Sequence, residues 1–167
     1  MKYNCNLCNK KHQIYFAIKA PINETLQELI NSNSSRIVES DGIYLLDKKQ
    51  IIIEGIISMT TEYKENFNYI TWVNCDAKEF VKMSESFENG IGSKLNGSLV
   101  DNLIPYNSDT KNLNCQLVFR SNMTSTDKPN IVILEDSQLR TDQINGLSIK
   151  RVEKLMNEIH HSSKNSI

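Results

Sequence analysis

Histidine, proline, glycine and tryptophan are scarce in this 167-residue chain, which holds three, three, six and one of them. With so few histidines, two of them adjacent near the C-terminal end, no serine, histidine and acid relay can be argued, and no Gly-x-Ser-x-Gly turn is present. Three of the glycines fall in ENGIGSKLNGS, but a phosphate cradle needs a lysine followed by serine or threonine, and Lys94 is followed by Leu95. That stretch reads as a loop or a set of turns. Basic runs are equally lacking: 19 basic side chains face 20 acidic ones and none of the runs exceeds three residues. Non-specific nucleic-acid binding, which needs a concentrated positive surface, is therefore not expected. Aromatics, at 7%, do not interleave with Lys or Arg as a base-stacking platform would require. The longest apolar run, IIIEGIISM at 51–59, is too short for a membrane helix and is broken by Glu54. Met1-Lys2-Tyr3-Asn4 leads directly to cysteine with no apolar signal core, so a soluble, cytoplasmic protein without a membrane partner is expected.

What the chain does have is four cysteines, unequally placed. Cys75 and Cys115 lie in strand-like runs and read as small buried hydrophobes. Cys5, Cys8 and His12 are crowded into CNLCNKKH, where the Cys-x-x-Cys spacing puts both sulfurs on one side of a tight turn and the histidine follows on its exit. That suits the tetrahedral, thiolate-rich preference of zinc. The fourth position is open: Cys75, Cys115, Asp136, His160 and His161 are the available donors, with water as the alternative. His160 and His161 also have a plainer reading, as cations at a helix C-terminus.

Hydrophobic pattern and turn residues predict one α+β domain over residues 1–161, with a zinc loop at 1–14, a mainly antiparallel sheet flanked by helices, and a frayed tail at 162–167. Strands are expected over 36–39 and 43–46 around Asp41-Gly42, then over 51–59, 67–73, 113–120 and 130–134. Helices are expected after Asn23, from Asp76 as N-cap through Phe80, Met83 and Phe87, over 141–144 up to Gly146, and from Ser148, where Ile149, Val152, Leu155, Met156 and Ile159 form an apolar stripe. Alternation puts Trp72 on the same strand face as Ile70, opposite Thr71 and Val73; core packing is the expected role and a partner-facing anchor the alternative.

CNLCNKKH, TWVNCDAKEF, GSLVDNLIPYNSDTKNLNCQLVFR and DQINGLSIKRVEKLM, in this order along nearly the whole chain, resemble the bacterial family called domain of unknown function 2199. The resemblance implies a Cys-x-x-Cys-Gly-x-x-His start that Cys5, Cys8 and His12 fit, with Asn9 where the family has glycine. Asparagine tolerates the left-handed backbone that such a turn needs. It also implies a histidine where this chain has Ser137, which puts any family activity depending on that histidine in doubt here.

Three readings of CNLCNKKH follow in order of preference: a structural zinc loop completed by one further ligand, a vestigial loop without metal, and a catalytic metal with an open position. The functional expectation is a non-enzymatic domain that binds a protein partner, with toxin immunity as its specific form; the competing class is a metal-dependent hydrolase on the Cys5, Cys8, His12 site.

Overall fold

The computed structural model describes residues 1–20, 24–32, 38–40, 42–46, 49–88, 92–106, 110–124 and 127–162. Its organising feature is a long hairpin of β6 (Gln50–Met59) and β7 (Phe67–Asp76), paired antiparallel from Gln50↔Asp76 to Met59↔Phe67. Five isoleucines in β6 and the Val, Ile, Thr and aromatic residues of β7 suit a pleated surface buried on both faces. Both strands outrun their neighbours, so each changes partner along its outer edge. β6 takes β5 (Ile43–Leu46) over Gln50 to Ile53 and β10 (Asn130–Ile133) at Ile56, whereas β7 takes β3 (Ala17–Lys19) over Asn68 to Ile70 and β8 (Ser93–Leu99) over Val73 to Cys75. β9 (Asn114–Phe119) pairs antiparallel with both β8 and β10.

These pairings close a ring, β6-β7-β8-β9-β10 and back to β6, antiparallel except at the closing β10–β6 contact. The mostly antiparallel sheet agrees with the sequence, but the plain sheet flanked by helices is corrected to a five-stranded, barrel-like closure. β4 (Val38–Ser40) extends β5 outside the ring. Closure demands close approach at two glycines. A Cβ on Gly55 would meet Ile131 at 2.8 Å and Leu117 at 3.1 Å, and one on Gly97 would meet Val73 at 2.6 Å and the Asn74 carbonyl at 2.7 Å. Gly97 thus marks a close approach of β7 to β8 rather than a turn, and the loop expected across 93–98 is corrected to β8, whose Leu95 and Leu99 are buried in the main core.

The ring encloses the main core, with Ile51, Ile53, Ile57, Phe67, Leu99 and Leu117 among its members. Outside the β6–β7 hairpin a second cluster joins Leu26 of α1 (Glu24–Ser32) to Tyr44, Leu46, Ile52, Trp72 and Val100. Trp72 is 3% exposed and tilted against Tyr44, with ring centroids 5.4 Å apart. It packs within this cluster, with Lys19 Nζ 6.0 Å from its ring centre.

α2 (Ala77–Glu88) packs on β7 and β8 and starts where expected, the Asp76 carboxylate accepting from the amides of Lys78 at 2.8 Å and Glu79 at 3.1 Å. α3 (Gln138–Asn145) begins earlier than the pattern suggested, because Ser137 caps it through the Arg140 amide, and it ends at Gly146, whose φ is 77°. α4 (Ile149–Ser162) is capped by Ser148 and buries Val152, Leu155 and Met156. Ile149 is 41% exposed, so the buried stripe is narrower than its sequence. Ser162 still belongs to α4; the rest of the expected tail, Asn23 and Asp41 lie outside the described residues.

Candidate metal centre

The first cysteines sit on a turn between β1 (Lys2–Asn4) and β2 (Lys11–Gln13), which pair as Tyr3↔His12 and Asn4↔Lys11. The Cys5 amide donates to the Lys10 carbonyl and the Asn9 amide to the Cys5 carbonyl, both at 2.9 Å, and the Leu7 amide points at Cys5 Sγ at 3.4 Å. Backbone donors aimed at sulfur stabilise thiolate. Asn9 has φ 55°, the left-handed conformation its side chain tolerates, so the turn survives without glycine. The hairpin pairing then brings His12 back over the turn, its Nε2 3.0 Å from Cys8 Sγ.

The fourth donor comes from the other end of the chain. His161, in the last turn of α4, places Nε2 3.2 Å from Cys5 Sγ. The ligand atoms of Cys5, Cys8, His12 and His161 all lie within 4.8 Å of one another, an arrangement that could hold a metal ion. Of the donors open in the sequence, Asp136 is fully exposed at the entry to α3, and Cys75 and Cys115 face the barrel interior. Reading His160 and His161 only as helix-end cations is corrected by these contacts: His160 accompanies the centre, stacking on His12 at 4.6 Å, with Nε2 3.0 Å from the Gln13 carbonyl. A single sequence could not reveal this, because His161 lies 149 positions from His12 and nothing in its helix marks it as a ligand.

Burial pushes the Cys5 thiol up, but hydrogen bonds from His161 and from the Leu7 and Cys8 amides outweigh it and bring the thiol down to about 7. Burial and the nearby Cys5 and Cys8 push the Tyr3 hydroxyl beneath the turn up to about 12, so it stays protonated. Cys75 and Cys115 are each pushed up to about 12, chiefly by burial, and stay thiols.

A second polar assembly, unseen from sequence, joins two of the blocks that carry the family resemblance. Tyr106 donates to Asp142 Oδ2 at 2.9 Å, Arg151 pairs with the same oxygen at 2.7 Å, and Gln138 donates to Oδ1 at 2.8 Å. The Arg151 guanidinium also lies over the Tyr106 ring, 5.4 Å from its centroid. Both carboxylate oxygens are satisfied, so the assembly fastens α3, α4 and the Pro105-Tyr106 segment. Gln143 does similar work on the next strand: its side chain accepts from the Ile133 amide at 2.9 Å and donates to the Ile131 carbonyl at 2.6 Å, pairing with β10 where β6 no longer does.

Residues 4–147 match the model of a family described as "Uncharacterized protein conserved in bacteria (DUF2199)". The match covers Cys5, Cys8 and His12 and stops before α4. No curated protein and no solved structure matches the chain.

Proposed function

Because the chain belongs to this bacterial family, whose description names no reaction, we propose from the geometry of the centre that the protein is a zinc-stapled, non-catalytic domain. The observation that carries the reading is the convergence of four protein donors within 4.8 Å. Two thiolates and two imidazoles form a donor set that zinc takes tetrahedrally, and soft sulfur disfavours magnesium and calcium. Zinc arms of about 2.3 Å to sulfur and about 2.0 Å to nitrogen imply S···N edges of about 3.5 Å, so the 3.0 and 3.2 Å edges here need only slight expansion. Four protein ligands fill such a sphere, whereas a hydrolytic zinc keeps one position for water. Since one ligand lies 156 residues from another, the staple joins the N-terminal hairpin to the C-terminal helix.

Elemental analysis of protein purified without chelators tests this. One zinc per chain in the wild type, with most of it lost in both Cys8→Ser and His161→Ala, is the expected result. Zinc that survives His161→Ala in full would favour an open sphere and the hydrolase reading.

We propose that such a domain works by binding a protein partner, with a bacterial toxin as the specific form. Co-purification with the product of the neighbouring gene tests it: retention of a toxin-like protein supports the assignment, and failure to retain any partner from the source cell contradicts it.

A further inference from the structure

The two sulfurs of the metal centre stand in unlike surroundings. Cys5 is 1% exposed, with its sulfur against the Leu7 amide and His161 Nε2. Cys8 is half-buried, and its sulfur meets His12 Nε2 at 3.0 Å. An oxidant arriving from solvent therefore reaches Cys8 first and finds Cys5 beside it as a second thiol, the arrangement that turns sulfur oxidation into a disulfide.

The pair is also close enough to join. The Asn9 amide donates to the Cys5 carbonyl, a helix-like closure of the turn. Residues three apart in such a turn have Cα atoms about 5 Å from each other, inside the span that a disulfide accepts. The two Sγ atoms lie within 4.8 Å of one another. The other two thiols, Cys75 and Cys115, are buried in the main core at 5% and 0% exposure, so the same oxidant does not reach them.

Joining the sulfurs has a consequence at the far end of the chain. Cys5, Cys8 and His12 belong to the β1–β2 hairpin, whereas His161 arrives on α4 and is tied to the centre through Cys5 Sγ. The body of α4 is fixed separately, by the buried Val152, Leu155 and Met156 and by the Tyr15 amide on Met156 Sδ at 3.5 Å. Losing the centre thus loosens the last turn of α4 and leaves the helix docked.

Resting on the zinc staple, we propose that Cys5 and Cys8 are an oxidative modification site: a hydroperoxide joins them as a disulfide, which expels the metal and releases the last turn of α4. Cys8 Sγ attacks one peroxide oxygen, forming an S–O bond as the O–O bond breaks; the leaving oxygen keeps the bond pair, takes a solvent proton and departs. Cys5 Sγ then attacks the Cys8 sulfenic acid, forming the S–S bond as hydroxide leaves and takes a second solvent proton. The two thiolates lose two electrons and the peroxide gains them. Once joined, neither sulfur carries the charge that held the metal.

Hydrogen peroxide added to the full chain, purified without chelators, tests the site against an untreated sample. Released zinc is read with a chromogenic chelator, and the thiols are mapped by mass spectrometry. The expected result is loss of most of the zinc, a Cys5–Cys8 disulfide, and Cys75 and Cys115 left reduced. Amide hydrogen exchange should become several-fold faster at Ile159 to His161 and stay unchanged at Val152 to Met156, and a phosphine reductant with added zinc should restore the starting state. Zinc retained under peroxide, sulfinic acid at Cys8 without a disulfide, a disulfide to Cys75 or Cys115, or an unchanged last turn would each overturn the proposal. A chain that holds no zinc before peroxide is added overturns the staple, and the release with it, so the two readings fail at separate steps.

Discussion

Cys5 and Cys8 sit on a turn whose amides point at sulfur, whereas Cys75 and Cys115 face the barrel interior. Reactivity follows the thiolate, so with metal removed by a chelator a thiol reagent should label Cys5, brought down to about 7, ahead of Cys75 and Cys115 at neutral pH. Cys75 and Cys115, held near 12 by burial, should react only on unfolding. Four fast thiols in the folded, metal-free protein would contradict the placement of that pair. Glu54 carries a second prediction at this scale. Burial raises its pKa, but hydrogen bonds and charge from Lys128 and Lys19 outweigh that and hold it below the usual carboxylate value. A folded pKa below the unfolded one gives stability that is present above the unfolded pKa and is lost as pH falls through the folded one. Urea unfolding should therefore show wild type ahead of Glu54→Gln at neutral pH, with the gap narrowing below about pH 4. A gap that widens in acid would reverse the assigned sign.

At the scale of elements, Asp142 and Gln143 add polar ties among α3, α4 and β10 to the apolar packing of Leu139, Val152 and Leu155. Asp142→Ala removes the partner of Tyr106, Arg151 and Gln138 at once, and should cost about 3 kcal/mol in chemical denaturation, because a half-buried arginine loses its carboxylate. A cost near zero would mean that Arg151 finds water instead. Gln143→Ala removes two hydrogen bonds from β10, for about 1–3 kcal/mol, and should speed hydrogen exchange at the Ile133 amide while leaving Leu117 in β9 slow. The sequence made individual elements legible where the signal was local. Asp76 and Ser148 announced their helices through capping chemistry, and the isoleucine-rich run announced β6. It concealed β8, because Gly97 serves a close approach of neighbouring strands yet looks like a turn glycine. It also concealed β1 to β3, three residues each, which are too short for alternation to register. Ring closure was illegible because it depends on β10 finding β6, a pairing separated by 74 positions and anchored at Asn130↔Ile56.

For the whole molecule, the two ends of the chain meet at one centre. Cys5, Cys8 and His12 could be read as a ligand set because they are close in sequence; His161 could be named only as one of five candidate donors, because its place beside them depends on α4 docking through Val152, Leu155 and Met156. Metal bound at this centre would be coupled to the packing of α4, and holding zinc should raise the melting temperature of the chain by linkage, an increase that a chelator abolishes. Among the described residues no helix is long and apolar enough to cross a membrane, and the docked face of α4 is directed into the protein core. X-ray absorption at the zinc edge examines the coupling at its source. The wild type should show two sulfurs at about 2.3 Å and two imidazoles at about 2.0 Å, and His161→Ala one imidazole fewer. A sphere without the His161 imidazole in the wild type, or protein that takes up no zinc at all, would contradict the closed centre on which this account rests.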